Sequence, residues 1–395
     1  MIQIKHFRNR IMMAIILLGA SGSINLFGQE ELDKPELALQ VPQVFFNPGE
    51  DQYSGTRRMF QGIPGIERAG NGRLWVSRFS GSTGEDAPDN YVLLITSGDD
   101  GQTWSNPKVV IDMPGTRVRL CDPCLWIDPF GRLWFFWAQI YSPHVNRGVW
   151  AIVTENPEDA DPEWSAPRRL CEGIMLNKPL VLSNGDWLLP TSIWRIDSSC
   201  RVVASEDQGK TFVLRGAANI PDSSHRCPDE PMLVERSDGT LWMLVRTNYG
   251  IGESISPDGG RTWIPVSRSH IKHTVARFHI RRLLSGNLLL VKHGPIDQRT
   301  RRELLTAYVS KDDGITWEGG LLLDERHVSY PDGVQAPDGS IYLVYDHGRY
   351  PGTAREIMMA VFTEDDVLTG KPSKNTRLKV VINRAVEPSC DQKNP

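Results

Sequence analysis

A tyrosine, a glutamate and a set of arginines are the residues of this chain best suited to chemistry. Tyr330 stands immediately before a Pro-Asp-Gly turn, Glu230 lies between Asp229 and Pro231 at the edge of an apolar run, and Arg246 ends the next such run. Residues 276–302 are basic, with Arg277, Arg281, Arg282, Arg299, Arg301 and Arg302. A free phenol is a poor nucleophile at neutral pH because its pKa is about 10. A carboxylate that accepts the phenol proton, with guanidinium groups that stabilise the phenolate, removes that obstacle. Arginines drawn from separate parts of a chain also suit a carboxylate ligand, since each stays charged and presents paired donors. A cluster of acids, Glu85, Asp86 and Asp89, occupies the Gly- and Pro-containing loop after Arg78; by composition alone such acids face solvent.

Residues so far apart in sequence meet only if the fold returns the chain repeatedly to one axis. Two internal repeats supply that fold. The first is Ser-x-Asp-x-Gly-x-Thr-aromatic, at Ser97–Trp104, Ser205–Phe212, Ser256–Trp263 and Ser310–Trp317. In such a turn the Asp accepts hydrogen bonds from its own backbone, the Gly takes a positive φ and the aromatic ring anchors the turn. The segment ending at Trp164 is a decayed copy. The second repeat is a Gly that feeds an apolar strand, at Gly72, Gly131, Gly185, Gly239, Gly286 and Gly339, with gaps of 59, 54, 54, 47 and 53 residues. A period near 50 with several strands per unit predicts a propeller. The expectation is an all-β chain of six blades, with the octapeptides as blade turns away from the chemistry. A late strand near Leu378–Ile382 is expected to close the ring against the first blade.

The remaining features set the context. A net charge of −4 favours neither nucleic acid nor an anionic membrane as partner. Residues 1–28 carry Lys5, Arg8 and Arg10 ahead of an apolar run from Ile11 to Leu18. This is a secretory signal pattern, too short for a membrane span, so export to the periplasm or beyond is expected. Residues 29–55 form a polar lead-in that packs on the propeller, and residues 56–395 form the propeller itself. Cys121 and Cys124 have the spacing of a redox or metal pair, but no second close pair accompanies them. Buried thiols or one or two disulfides are therefore expected for the six cysteines, with no metal and no cofactor. No heptad or apolar patch suggests self-association, and a monomer is expected.

The repeats together with these residues resemble the sialidase superfamily, six-bladed propellers marked by Asp-box turns, over roughly residues 56–365. The resemblance implies a tyrosine nucleophile in place of one of the two carboxylates usual in retaining glycosidases. A neutral phenol suits a sugar whose anomeric carbon already bears a carboxylate. It further implies Tyr330 as the nucleophile and Glu230 as the base that activates it. Asp86 becomes the acid/base, with Glu85 and Asp89 as alternatives, and Arg246 and Arg302 become arms of a carboxylate clamp. One motif departs from the pattern. The family opens its first blade with aromatic-Arg-Ile-Pro, whereas this chain reads Phe60-Gln61-Gly62-Ile63-Pro64. The third clamp charge is then expected from Arg58, with Arg57 or Arg78 as alternatives. The acidic sugar is open among sialic acid, another 2-keto sugar acid and a uronic acid.

The expected activity is that of an exo-glycosidase acting on acidic oligosaccharides. Two other readings use the same pocket. In a lyase or dehydratase, Tyr330 and a histidine such as His279, His293 or His327 would remove the proton beside a uronate carboxylate. In a non-catalytic glycan-binding propeller, the Glu230 and Tyr330 pair would have no task.

Overall fold

The computed structural model describes residues 34–49, 53–55, 57–142, 145–349, 353 and 355–385. The proposed signal segment and Cys390 lie outside the described residues. Six antiparallel sheets follow one another along the chain, each an up-and-down meander, and together they form a six-bladed β-propeller. The innermost strands are Phe60–Arg68, Arg119–Ile127, Leu180–Val181, Met232–Glu235, His279–Arg282 and Val328–Gln335 for blades one to six. No helix among the described residues is long and apolar enough to cross a membrane.

The blade glycines sit where the first strand of each blade turns into the second. All six have positive φ, from 82° at Gly239 to 97° at Gly72, a conformation that costs a residue with a Cβ far more. The octapeptides lie between the third and fourth strands. In each, the Asp accepts from the Thr backbone N–H and from the Thr hydroxyl, while the Ser hydroxyl donates to the Asp and accepts from the Gly N–H. At Asp312 these contacts are 2.8 Å and 2.5 Å to Thr316, 2.8 Å from Ser310 and, for Gly314 N–H onto Ser310, 2.8 Å. Bonds to Thr and Ser hold the carboxyls of Asp99, Asp207, Asp258 and Asp312 down at about 2. The turns lock neighbouring blades. A Cβ on Gly209 of blade three would lie 2.6 Å from Trp187 and 2.8 Å from Trp134 of blade two, and one on Gly314 of blade five 2.3 Å from Trp242 of blade four. The decayed copy in blade two does the same job, with Trp164 edge-on to Trp75 and Pro157 O accepting from Trp75 Nε1 at 2.8 Å.

The lead-in extends the first blade. Its strand Gln43–Phe46 pairs with Val109–Asp112 as a fifth, outermost strand. Ring closure differs from the expectation. Strand Arg377–Arg384 pairs only with Glu356–Phe362 and is the outer strand of blade six. Blades six and one are joined by side chains instead. Asp346 Oδ2 accepts from Ile63 N–H at 3.0 Å, Gln61 Nε2 donates to Arg355 O at 2.8 Å, and Arg377 donates to Asp100 at 2.8 Å. A blade that begins and ends with consecutive chain has all four strands of its own, so the tail has no place to fill in blade one.

The axis is filled by charge rather than by apolar packing. Inner strands of a propeller diverge from the axis and cannot pair with one another, so their inward carbonyls need other donors. Lys178 supplies them, donating to Ile66 O at 2.6 Å and Leu125 O at 2.8 Å, and it pairs with Glu67 at 2.8 Å and Asp332 at 3.2 Å. Arg277 bonds Asn177 Oδ1 at 2.7 Å and Leu176 O at 3.1 Å. This buried layer ties five blades together and is the platform on which one end of the axis carries the site.

Candidate active site

Glu230 is the residue the axial layer fixes most directly. Asn177 Nδ2 donates to both Glu230 O and Pro231 O at 2.9 Å, which sets the backbone just ahead of the inner strand of blade four. The Glu230 side chain is buried and its Oε1 accepts from Arg246 Nη1 at 2.6 Å. Tyr330 Oη stands 3.5 Å from the same Oε1 and 3.5 Å from the same Nη1. Phenol, carboxylate and guanidinium therefore share one point, although they come from blades six and four. Glu230 Oε2 is buried with no hydrogen-bond partner among the described residues, which leaves it able to take a proton. Burial raises the Tyr330 phenol, Glu230 and Glu85 add to that, and Arg246 and Arg349 oppose it. At rest the tyrosine is neutral, with a base and cations within reach.

These three residues line one cavity of about 590 Å³ together with Arg302, Asp86 and Glu85. Arg302 is held by Ser329 Oγ at 3.2 Å and Val275 O at 3.0 Å, and its Cζ lies 5.9 Å from the Tyr330 ring centroid. Asp86 is at the rim, 93% exposed, and pairs with Arg119 Nη1 at 2.6 Å. Trp194 and Tyr141 contribute aromatic wall, and Arg117, Arg119 and Arg195 add cationic edge. The expected site residues Tyr330, Glu230, Asp86, Arg246 and Arg302 are thus gathered in one place.

Three expectations need correction. Arg58 does not border the cavity: it is buried at the seam with blade six, where its Nη2 donates to Asn383 at 3.1 Å. Arg78 is fully buried behind the same seam, next to Arg58 and Tyr91. Arg349 from blade six stands closer to the site. Its Nη1 is 2.8 Å from the position a Cβ on Gly62 would take, and its Cζ is 4.5 Å above the Tyr330 ring. The histidines of the elimination reading do not line the cavity either. His293 bonds Val328 O at 2.9 Å and His273 at 3.1 Å, and burial pushes it down to about 3. Burial does the same to His279, which borders a second axial cavity of about 290 Å³ beneath the Lys178 layer. Cys121 and Cys124 point to opposite faces of blade two, one packing with Phe79 and Tyr330, the other with Trp126 and Trp134. That divergence rules out a shared metal or a bond between them. The five described cysteines are all thiols.

Several lining residues escaped the sequence reading, among them Tyr141, Trp194, Arg195 and Asp122. Asp122, between those two cysteines, faces the cavity with a buried carboxyl that burial pushes up to about 7, against the pull of Arg119. The sequence does carry a signal for it. Asp122, Glu230 and Tyr330 each precede a proline and stand nine residues before a blade glycine.

Residues 72–343 match the family described as a BNR repeat-like domain. A sialidase of Bacteroides fragilis (strain YCH46) is 24% identical over 311 residues, covering 67% of this chain and 55% of the relative. A sialidase of Micromonospora viridifaciens is 24% identical over 329 residues, covering 72% of this chain and 50% of the relative. The chain therefore spans about half the length of the curated relatives it matches. Among solved structures, the intramolecular trans-sialidase from Ruminococcus gnavus in complex with oseltamivir carboxylate superposes with a TM-score of 0.64 at 13% identity, covering 83% of this chain and 98% of the other. At that identity the likeness is one of fold.

Proposed function

We propose that this chain, which belongs to the BNR repeat-like domain family, is a sialidase-type exo-glycosidase that removes a terminal acidic sugar from glycans with retention of configuration. The observation that carries this reading is the meeting of Tyr330 Oη, Glu230 Oε1 and Arg246 Nη1 within 3.5 Å at a cavity edged by further arginines. In the first step Tyr330 Oη attacks the anomeric carbon and its proton passes to Glu230. Asp86, at the rim, protonates the departing glycosidic oxygen. In the second step Asp86 takes a proton from water, the water oxygen bonds the anomeric carbon, and the phenolate leaves and recovers its proton from Glu230. The sum is one water consumed and one glycosidic bond broken. Arg246 and Arg302 orient the sugar carboxylate and offset the charge on the phenolate.

The sugar is sialic acid, another 2-keto sugar acid or a uronic acid, and the protein works after export to the periplasm or beyond. Elimination is the weaker reading, because no histidine stands among the described residues that line the cavity. Incubation with sialyllactose and with uronate-ended oligosaccharides, followed by mass spectrometry, tests the proposal. Uptake of water with release of a free acidic sugar is expected. Cleavage without water uptake refutes hydrolysis.

A further inference from the structure

Arg349 and Glu85 form a pair whose two halves have unequal freedom. Arg349 is held from behind by Asp346, whose side chain is 1% exposed, with Nη1 to Oδ2 at 2.5 Å. From the cavity side, Nη2 meets Glu85 Oε2 at 2.5 Å; the Arg349 side chain is 6% exposed, but that of Glu85 is 45% exposed. Glu85 precedes Asp86 in the rim loop. Burial works to raise its carboxyl, but Arg349 first, and then Arg302 and Arg119, hold it below the usual range. The carboxylate of Glu85 thus sits in the field of the cations that border the cavity. Space for the guanidinium exists only because position 62 is glycine, since a Cβ there would meet Arg349 Nη1 at 2.8 Å and Asp346 Oδ2 at 3.0 Å. Three guanidinium groups consequently flank Tyr330, with Arg246 on its hydroxyl, Arg302 at 5.9 Å from the ring and Arg349 at 4.5 Å.

We propose that Arg349, delivered from blade six, is the third cation of the acid-binding subsite, and that Glu85 is its resident counter-ion, displaced by the carboxylate of the incoming sugar. The inference rests on the acidic-sugar reading of the site. The exchange conserves charge at the subsite: one carboxylate leaves for water and one arrives. Asp346 stays as the fixed partner, so Arg349 is never left without an anion. Displacement also frees the rim loop at Glu85, one residue from Asp86, and so couples acid binding to the placing of Asp86.

The pair makes opposite predictions for its two members. Glu85→Gln removes the competitor, so affinity for an acidic sugar rises about tenfold, the scale of one charge-assisted hydrogen bond. Affinity for the corresponding methyl ester stays the same. Arg349→Gln lowers affinity for the acid about tenfold or more and leaves the ester unaffected. Arg349→Lys, which keeps a charge beside Asp346, falls between the two and guards against loss of folding. Isothermal titration of the full chain with N-acetylneuraminic acid and glucuronic acid, each against its methyl ester, reads these effects. If the native protein binds neither acid better than its ester, the acidic-sugar reading fails and this inference with it. If the native protein prefers an acid but Glu85→Gln gains nothing, or Arg349→Gln keeps the preference, only the Arg349 and Glu85 assignment is overturned.

Discussion

Replacing Tyr330 by Phe separates chemistry from structure at this site. The phenolic oxygen makes two contacts, each at 3.5 Å, at the outer limit of a hydrogen bond. Each is therefore worth less than the roughly 1 kcal/mol of an ordinary bond. The ring contacts with Arg302 and Arg349 survive in Phe, as does the backbone at φ +56°. The stability change is then within about 1–2 kcal/mol, and Tm moves by a few degrees at most. Turnover should fall at least about 1,000-fold, which is about 4 kcal/mol of barrier, because the covalent route is gone. Glu230→Gln gives the contrasting pattern. It leaves the Arg246 charge without its counter-ion, 2.6 Å away in the native protein, in a largely buried position. Breaking such a pair costs about 3–5 kcal/mol, at the lower end here because part of the guanidinium reaches the cavity. This variant should lose both Tm and turnover, whereas Tyr330→Phe loses turnover alone. The assay is release of the acidic sugar under saturating substrate, run beside a thermal melt of each variant. A folded Tyr330→Phe that keeps turnover within tenfold of the native protein refutes the assignment of Tyr330 as nucleophile.

Two further outcomes follow from the carboxyls of the cavity. Asp122 has its folded carboxyl pushed up to about 7 while the unfolded chain titrates near 4, so the native state binds the extra proton between those values and stability declines as pH rises through that window. Asp122→Asn cannot ionise and should gain Tm over the native protein at pH 8 but not at pH 5; equal differences at the two pH values would contradict this. Asp86→Asn should cost about 100-fold or more on an alkyl-linked glycan yet little on an aryl glycoside, whose leaving group needs no proton. Equal losses on both substrates would remove Asp86 from the role of acid.

The parts legible in the sequence are those whose structure is made locally. A Gly with positive φ, an Asp that caps its own turn and the aromatic that follows are short-range devices, so six blades and their octapeptide turns could be counted directly. Tyr330, Glu230, Arg246 and Arg302 were legible through the motifs that resemble the sialidase superfamily, whereas Asp122, at the same nine-residue distance from a blade glycine as Glu230 and Tyr330, belongs to no such motif. Arg349 was not legible either. Its place depends on a void over Gly62, 287 positions away, and the sequence marks no such void. Arg58 misled for the converse reason: it is near the first blade's opening in sequence, but the seam with blade six turns it toward Asn383. The late strand misled because its apolar pattern is the same whether it pairs with blade one or with blade six.

The site arises from one position repeated around the ring. Nine residues before each blade glycine stand Ile63, Asp122, Leu176, Glu230, Arg277 and Tyr330. Four of the six precede a proline and hold a positive φ, at 49°, 50°, 46° and 56° for Ile63, Asp122, Glu230 and Tyr330. In blades one, two and six the strand register slips at this point, so that the residue and its proline lie opposite a single residue of the next strand. A bulge of this kind turns the side chain out of the strand's alternation, and the proline removes an N–H that could not be used in the ladder. The result aims Asp122, Glu230 and Tyr330 into the cavity. Blades three and five lack the bulge, and there Asn177 and Arg277 serve the axis instead, bonded to each other at 2.7 Å, with Asn177 holding the Glu230 and Pro231 carbonyls. Backbone strain of this kind costs about 1–3 kcal/mol per residue and persists only where the surroundings fix it. Here the axial layer beneath the bulges does so. Bulges that aim side chains into the cavity, set over a platform that blades three and five supply, explain why a site spread over more than 200 residues is held to hydrogen-bond distances.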